Sequence, residues 1–337
     1  MAVPAVQARR IGAYIIRNLL GRQLRFPLVL MLEPLFQCNF RCKGCGKVAH
    51  PPEVLNRMLT VQQCLDAAEE CGAPVVSIPG GEPLLHPDIP EVVRGLVAQG
   101  RFVYLCTNAQ LVEQRIHEFN PSPFLTFNVH LDGLREQHDE SVSHPGAFDK
   151  AVAAIRLLRT RGFRVTTNST FFDGHSPHDA ARLFDFLSTL DVEGLTISPG
   201  FSYEAAPVQD RFLGRERTRQ LFREIFRLGK GRGWRFNHSS LYLDFLAGNR
   251  EYGCTPWGNP TYNIFGWQRP CYLLDDGYAE SFRELMEETE WERYGSGRDP
   301  RCADCMVHCG YEPSAVLDTV RHPLRGLAVA LRGPGGR

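Results

Sequence analysis

The run Cys38-Asn-Phe-Arg-Cys42-Lys-Gly-Cys45 constrains this chain more than any other segment. Three cysteines at C-x3-C-x2-C spacing follow closely on an apolar stretch at 28–32. Thiolates so placed can each take one iron of a four-iron cluster, for which cysteine is the usual ligand. Three ligands for four irons leave one iron open to a small molecule. The competing reading is zinc, which prefers four protein ligands in a closed tetrahedron. His50 is the nearest candidate for the missing fourth.

The chain has 337 residues, enough for one large α/β domain or a barrel with a small appendage. Apolar residues make up 43% and charged residues 23%, which suits a protein with a sizeable core. Basic and acidic side chains balance at 38 each, which argues against a nucleic-acid partner. Eleven cysteines and no signal-like leader point to a reducing cytoplasm and to metal binding rather than disulfides. No apolar run is long enough to cross a bilayer.

Strand-like runs recur at 27–32, 75–78, 102–107, 124–131, 164–172 and 195–198. Helical periodicity fills the gaps at 61–71, 89–99, 111–118, 148–161 and 179–190, and a further helix covers 217–230. This alternation predicts an α/β fold with a parallel sheet. Right-handed crossovers curl it into a partial (β/α)6 barrel of the TIM type. Barrel sites form where the loops gather at the carboxyl ends of strands, and the cysteine loop follows the first strand.

Gly80-Gly81-Glu82-Pro83 follows the second strand. Glycines permit close backbone approach, and a carboxylate suits an ammonium group. Later strand ends carry Cys106 and Asn108, His130 and Asp132, Asn168, and Ser198. Each of these polar residues is individually as well explained by strand closure or helix capping. The cysteine run and the GGEP segment together resemble the radical S-adenosylmethionine (SAM) superfamily. That resemblance implies a [4Fe–4S] cluster on Cys38, Cys42 and Cys45, with SAM on the open iron. It implies binding of the methionine amino group at Gly80, Gly81 and Glu82. Asn108, His130, Asp132, Asn168 and Ser198 become candidates for the rest of SAM.

From about residue 241 the composition turns rich in Trp, Tyr, Gly and Pro, with five more cysteines. Cys254 and Cys271 follow a C-x11-G-x4-C pattern, and Cys302-x2-Cys305 comes later. These resemble the SPASM or twitch modules that carry an auxiliary cluster, with zinc on the same four thiols as the alternative. Cys106 and Cys309 are left over as candidate hydrogen-atom donors to a product radical; otherwise Cys106 reads as a small core residue, and Cys309 as a metal ligand exchanged with Cys302 or Cys305. Cys64 and Cys71 fall in a helix and read as buried fillers.

At the amino end, Ile11, Ile15 and Leu19 form a stripe opposite Arg10 and Arg17. Leu317, Val320, Leu324, Leu327 and Leu331 recur near the carboxyl end, interrupted by Pro323. Such helices either pack on the barrel or lie in a membrane interface. The expected organisation is an amphipathic helix at 1–25, a barrel at 26–240, a twitch-like module at 241–315, and a terminal helix and tail at 316–337.

Less generic segments narrow the resemblance. They are Glu33-Pro-Leu-Phe-Gln37, Cys42-Lys-Gly-Cys-Gly-Lys47, Gly80-Gly-Glu-Pro-Leu-Leu-His-Pro-Asp-Ile89, Phe127-Asn-Val-His-Leu-Asp-Gly-Leu-Arg-Glu136, Asn168-Ser-Thr-Phe-Phe-Asp-Gly174, the aromatic block 256–274, and Cys309-Gly-Tyr-Glu-Pro313. Together they resemble the radical SAM family of hopanoid biosynthesis, the adenosylhopene synthases. That implies addition of the 5′-deoxyadenosyl radical to the terminal alkene of hopene. It also implies a hydrophobic polycyclic lipid substrate, a peripheral membrane contact, and an electron donor such as flavodoxin or ferredoxin. Trp257, Tyr262, Phe265 and Trp267 either line a lipid channel or form the module's own core. Hydrogen abstraction from another substrate, by dehydrogenation or peptide modification, is the rival enzymatic reading. A metal-binding electron-transfer protein is the non-enzymatic one.

Overall fold

The computed structural model describes residues 3–202 and 206–334; residues 1–2, 203–205 and 335–337, which include the extremes of the expected terminal segments, lie outside it. Six parallel strands form in the expected places: β1 Val29–Glu33, β2 Val75–Ile78, β3 Phe102–Thr107, β4 Leu125–His130, β5 Arg164–Phe171 and β6 Gly194–Pro199. Three more follow: β7 Thr261–Asn263, β8 Gly266–Cys271 and β9 Leu274–Ala279. All nine belong to one sheet, in the order β6-β5-β4-β3-β2-β1-β7-β8-β9. β7 pairs parallel to β1, and β8 and β9 then turn back antiparallel. The carboxyl-terminal module therefore extends the barrel sheet rather than forming a separate layer. Because β6 does not pair with β9, the barrel is partial.

The helices between strands start and stop where local chemistry demands. Thr60 and Gln63 form a reciprocal capping box at the start of Val61–Cys71. Ser176 caps Pro177–Ser188, accepting the N–H of Asp179. Cys64 and Cys71 are buried on the inner face of their helix, as expected of fillers.

Strand alternation sorts side chains onto two faces. On β4, Leu125, Phe127 and Val129 pack outward beneath the helices. Thr126, Asn128 and His130 therefore point to the barrel interior. Burying each aliphatic side chain contributes roughly 1.5–3 kcal/mol. The outer face of the sheet thus drives folding, which leaves the inner face free to be polar.

The amphipathic stripe at the amino end has a structural partner. In the helix Ala5–Leu20, Ile11, Ile15 and Leu19 pack with Phe26 and Leu28 against Val316, Leu317 and Val320. Of the two readings of this stripe, packing is the one seen: the helix His308–Arg321 covers it. A different set is exposed: Ile16, Leu20 and Leu24 at one end, and Leu324, Leu327 and Leu331 on Pro323–Arg332. Among the described residues no helix is long and apolar enough to cross a membrane.

Candidate active site and cysteine cavities

A cavity of about 230 Å3 lies at the carboxyl ends of β1 to β5. Cys38, Cys42 and Cys45 line it together with Gly80, Gly81, Glu82, Cys106, Asn108, His130, Asp132 and Asn168. The cysteine loop is fastened at several points. Lys43 N–H donates to the Ser141 carbonyl at 3.0 Å, and Cys45 N–H to the Cys42 carbonyl at 3.1 Å. Lys47 pairs with Glu33 at 2.8 Å and lies over the Phe36 ring. Burial pushes the Cys38 thiol up to about 12, against the lowering effect of the Phe40 N–H; Cys42 is likewise raised by burial and by Cys45. Metal binding here must displace protons. Among the described residues, no three Cys, His, Asp or Glu side chains are gathered to hold a single metal ion. The three thiols instead border one cavity, which suits a group whose irons each take a separate ligand. His50 does not complete a zinc site: its ring stacks on Phe36 at 5.0 Å and faces a different cavity.

The GGEP segment serves the fold more than expected. Gly81 N–H donates to the Leu35 carbonyl at 2.8 Å, and Glu82 N–H to the Gln37 carbonyl at 2.9 Å. A Cβ on Gly81 would stand 2.1 Å from the Gln37 carbonyl oxygen. The glycine lets this loop lie directly on the backbone that leads into Cys38. The Glu82 carboxylate is largely engaged by the fold, although it still borders the cavity. It accepts from Leu84 N–H at 3.0 Å, the Thr107 hydroxyl at 2.8 Å and Asn108 N–H at 2.7 Å. Burial pushes its pKa up to about 7 despite these donors. Gly80 and Gly81 add main chain to the same wall.

Asn108 braces the cysteine loop. Its amide donates to Asn39 Oδ1 at 2.7 Å and lies 3.8 Å from Cys38 Sγ. Asp132 is absorbed by the fold. It accepts from the Ser141 hydroxyl at 2.7 Å and Thr170 N–H at 2.8 Å, and lies 3.1 Å from His130 Nε2. Burial works against the Asp132 charge, but His130 outweighs it and holds the carboxyl well below the usual range. Burial likewise works against the His130 cation, and Asp132 raises its pKa in spite of that. His138, whose Nδ1 accepts the Asp132 N–H, is pushed down to about 4 by burial and by His130.

Register explains which strand residues meet. Cys106 is the partner of Asn128, and His130 of Asn168. Asn128, which sequence reading missed, donates its amide to Cys106 Sγ at 3.6 Å and accepts from Thr166 at 2.9 Å. Counting back two residues from His130 along the strand would have found it. Ser77 Oγ lies 3.5 Å from the same thiol. Thr170 and Phe172 close the wall at β5. Ser198, the partner of Thr170, lies one strand beyond the lining; it is buried, and its hydroxyl donates to the Pro199 carbonyl. It is not brought to the cavity.

Two further cavities follow in line. The first, of about 410 Å3, shares Lys47 with the SAM-side cavity and is lined by Phe36, His50, Phe201, Tyr272, Tyr278, Asp275 and Arg301 among others. The next shares Phe201, Leu273 and Leu274 with it and collects Cys254, Cys271, Cys302, Cys305 and Cys309. Cys309 therefore stands with the auxiliary cysteines and not beside Cys106. The helix start at His308 brings it back to that set, which favours the metal-ligand reading of Cys309 over hydrogen donation. Trp257, Tyr262, Phe265 and Trp267 pack against the core: Trp267 is buried beside Tyr262 and Phe282, while half-buried Trp257 meets Trp291 and half-buried Phe265 meets Tyr278.

Residues 32–187 match the radical SAM superfamily, and residues 195–329 match a domain of unknown function, DUF3463. The chain is 30% identical over 175 residues to GTP 3′,8-cyclase 1 of Mycobacterium tuberculosis, covering 49% of each. It is 32% identical over 148 residues to the AdoMet-dependent heme synthase of Methanosarcina barkeri, covering 43% of this chain and 42% of that one. The chain thus spans about half the length, or less, of these curated relatives. The crystal structure of SuiB from Streptococcus suis superposes with a TM-score of 0.67 at 17% identity, covering 89% of this chain and 76% of that one. That likeness establishes the shared fold. Residues 32–187 thus carry the radical SAM fold, with the [4Fe–4S] cluster and SAM that the superfamily implies, and residues 195–329 match a domain whose function is unknown.

Proposed function

We propose that this protein is a radical SAM enzyme that adds the 5′-deoxyadenosyl radical to the terminal alkene of hopene, forming adenosylhopane. The observation that carries the radical SAM part is the meeting of Cys38, Cys42 and Cys45 with the GGEP backbone in one cavity. A cluster bound there would supply the electron that breaks the C5′–S bond of SAM, releasing methionine. The choice of alkene rests on resemblance in the less generic segments. Exposed Leu324, Leu327 and Leu331 beside Arg325 support a membrane-supplied lipid.

Addition forms a C–C bond and leaves a carbon radical on the lipid, which a hydrogen atom must quench. Cys106 is the thiol in the SAM-side cavity suited to this, held by Ser77 and Asn128 and kept protonated by burial; giving up its hydrogen atom leaves a thiyl radical, which one electron from the external donor and a proton restore to the thiol. The adjoining chamber, between the two cysteine cavities, is the place for the substrate, and an external donor of the flavodoxin or ferredoxin type would reduce the cluster.

One observation favours a second reading. The chamber wall carries Lys47, His50, Asp275, Arg301 and Asp304 beside its aromatic rings. A polar substrate undergoing hydrogen abstraction would suit that wall better than a hydrocarbon. Anaerobic reconstitution with iron and sulfide, then reaction with dithionite, SAM and hopene, separates the readings by mass spectrometry. An adenosine–hopene adduct is the expected product. Free 5′-deoxyadenosine without adduct would overturn the alkene addition and leave the second reading. No SAM cleavage from an intact cluster would overturn both.

A further inference from the structure

Five thiols, not four, border the auxiliary cavity. A four-iron cluster takes one thiolate per iron, so one cysteine is surplus. The five are not equivalent. Cys254, Cys271 and Cys305 converge from three separate segments: the loop before Pro256–Gly258, the end of β8, and the turn after Pro300–Cys302. Cys254 Sγ sits tightly at the backbone beside Cys309: a Cβ on Gly310 would approach it to 2.7 Å. Thr255 N–H donates to the Gly310 carbonyl at 2.8 Å and locks that approach.

Cys302 and Cys309 reach this trio from different elements. Cys302 ends the short turn Pro300–Cys302 and is partly exposed, and Cys305 N–H donates to its carbonyl at 3.1 Å. Cys309 is buried in the first turn of His308–Arg321. Cys254, Cys271 and Cys305 lie close enough to interact by charge with Cys302, and also with Cys309.

We propose that Cys302 and Cys309 are alternative fourth ligands of one auxiliary cluster, exchanging at a single iron while Cys254, Cys271 and Cys305 stay bound. In the exchange the incoming thiol gives up its proton as its sulfur binds iron, and the departing thiolate takes one up. No electron is gained or lost. The swap moves the fourth thiolate between a half-exposed turn and a buried helix start. It rests on the auxiliary cavity holding a cluster and is independent of which substrate the enzyme takes.

The test uses the full chain with Cys38→Ala, Cys42→Ala and Cys45→Ala, so that only auxiliary iron remains. Iron and sulfide are counted after anaerobic reconstitution, and the reduced cluster is examined by electron paramagnetic resonance. The expected result is about four irons per chain in this parent and after adding either Cys302→Ser or Cys309→Ser. Adding both substitutions should cut the iron by at least half. The parent spectrum should be the sum of the two single-variant spectra. A single substitution that empties the site, with circular dichroism showing a folded chain, overturns the exchange. So does a parent spectrum matching one variant alone. A parent that takes up no iron overturns it together with the auxiliary cluster itself, and the iron count tells these failures apart.

Discussion

Glu82 accepts the backbone N–H of Asn108 at 2.7 Å, which joins the loop after β2 to the end of β3. The same Asn108 reaches on to Asn39 in the cysteine loop. One carboxylate thereby fixes the spacing between the GGEP backbone and Cys38.

This carboxylate makes stability depend on pH in an unusual direction. Folded Glu82 keeps its proton up to about 7, whereas the ordinary value is 4.5. The folded state binds more protons than the unfolded chain between these values, so the contribution of Glu82 is greatest below about 4.5 and falls as pH rises to 7. The span corresponds to roughly 3 kcal/mol. Glu82→Gln should remove that slope, read as urea-unfolding free energy from pH 5 to 8. An unchanged slope would assign the pH dependence to other groups.

Gly81→Ala should displace the cysteine loop, because its Cβ has no room beside the Gln37 carbonyl. The expected cost is about 2–4 kcal/mol of stability, with reduced iron uptake. Normal uptake and an unshifted melting temperature would show that the loop yields freely.

Asp132→Asn should leave His130 without its charge partner and weaken the acceptor for Ser141. Breaking a buried pair from one side costs about 3–5 kcal/mol, the upper limit here because His130 is partly exposed. The depressed Asp132 carboxyl stabilises the fold above its ordinary pKa and loses that effect as pH falls. The raised His130 stabilises it below its ordinary pKa and loses that effect as pH rises through the folded value. The difference between wild type and variant should therefore peak between about pH 4 and 6.5, measured by thermal unfolding. A flat difference across that window would refute the pair's role.

Cys38→Ala should leave too few ligands for the SAM-binding cluster. We expect no measurable 5′-deoxyadenosine from reconstituted protein. Cleavage at more than a few percent of the wild-type rate would contradict the assignment of Cys38.

Cys106→Ala should retain SAM cleavage within about threefold but lower the yield of quenched product by at least tenfold. Unchanged product would remove Cys106 from hydrogen donation and leave Asn128 and Ser77 with a packing role only.

Much of this was legible in the chain. The six barrel strands follow from β-rich runs separated by helical periodicity, because the face packed beneath the helices must be apolar at every second residue. The C-x3-C-x2-C run and the GGEP segment announce their chemistry locally, since both lie within single loops. Asn128 was concealed: a polar residue in the middle of a strand acquires meaning only when the neighbouring strand supplies Cys106 opposite it. Ser198 misled for the converse reason, as its strand end lies beyond the cavity wall.

Sequence alone determined the order of elements, the three cluster cysteines and the glycine-rich loop, because those depend on spacing within a few residues. Tertiary structure decided everything that required distant segments to meet. It put Cys309 with Cys254 rather than with Cys106, covered Ile11, Ile15 and Leu19 with a helix from the far end of the chain, and spent the Glu82 carboxylate on the backbone of Asn108. The physical reason is that a side chain's partners are set by sheet register and helix docking, and these are fixed by burial of the whole apolar core rather than by any local run of residues.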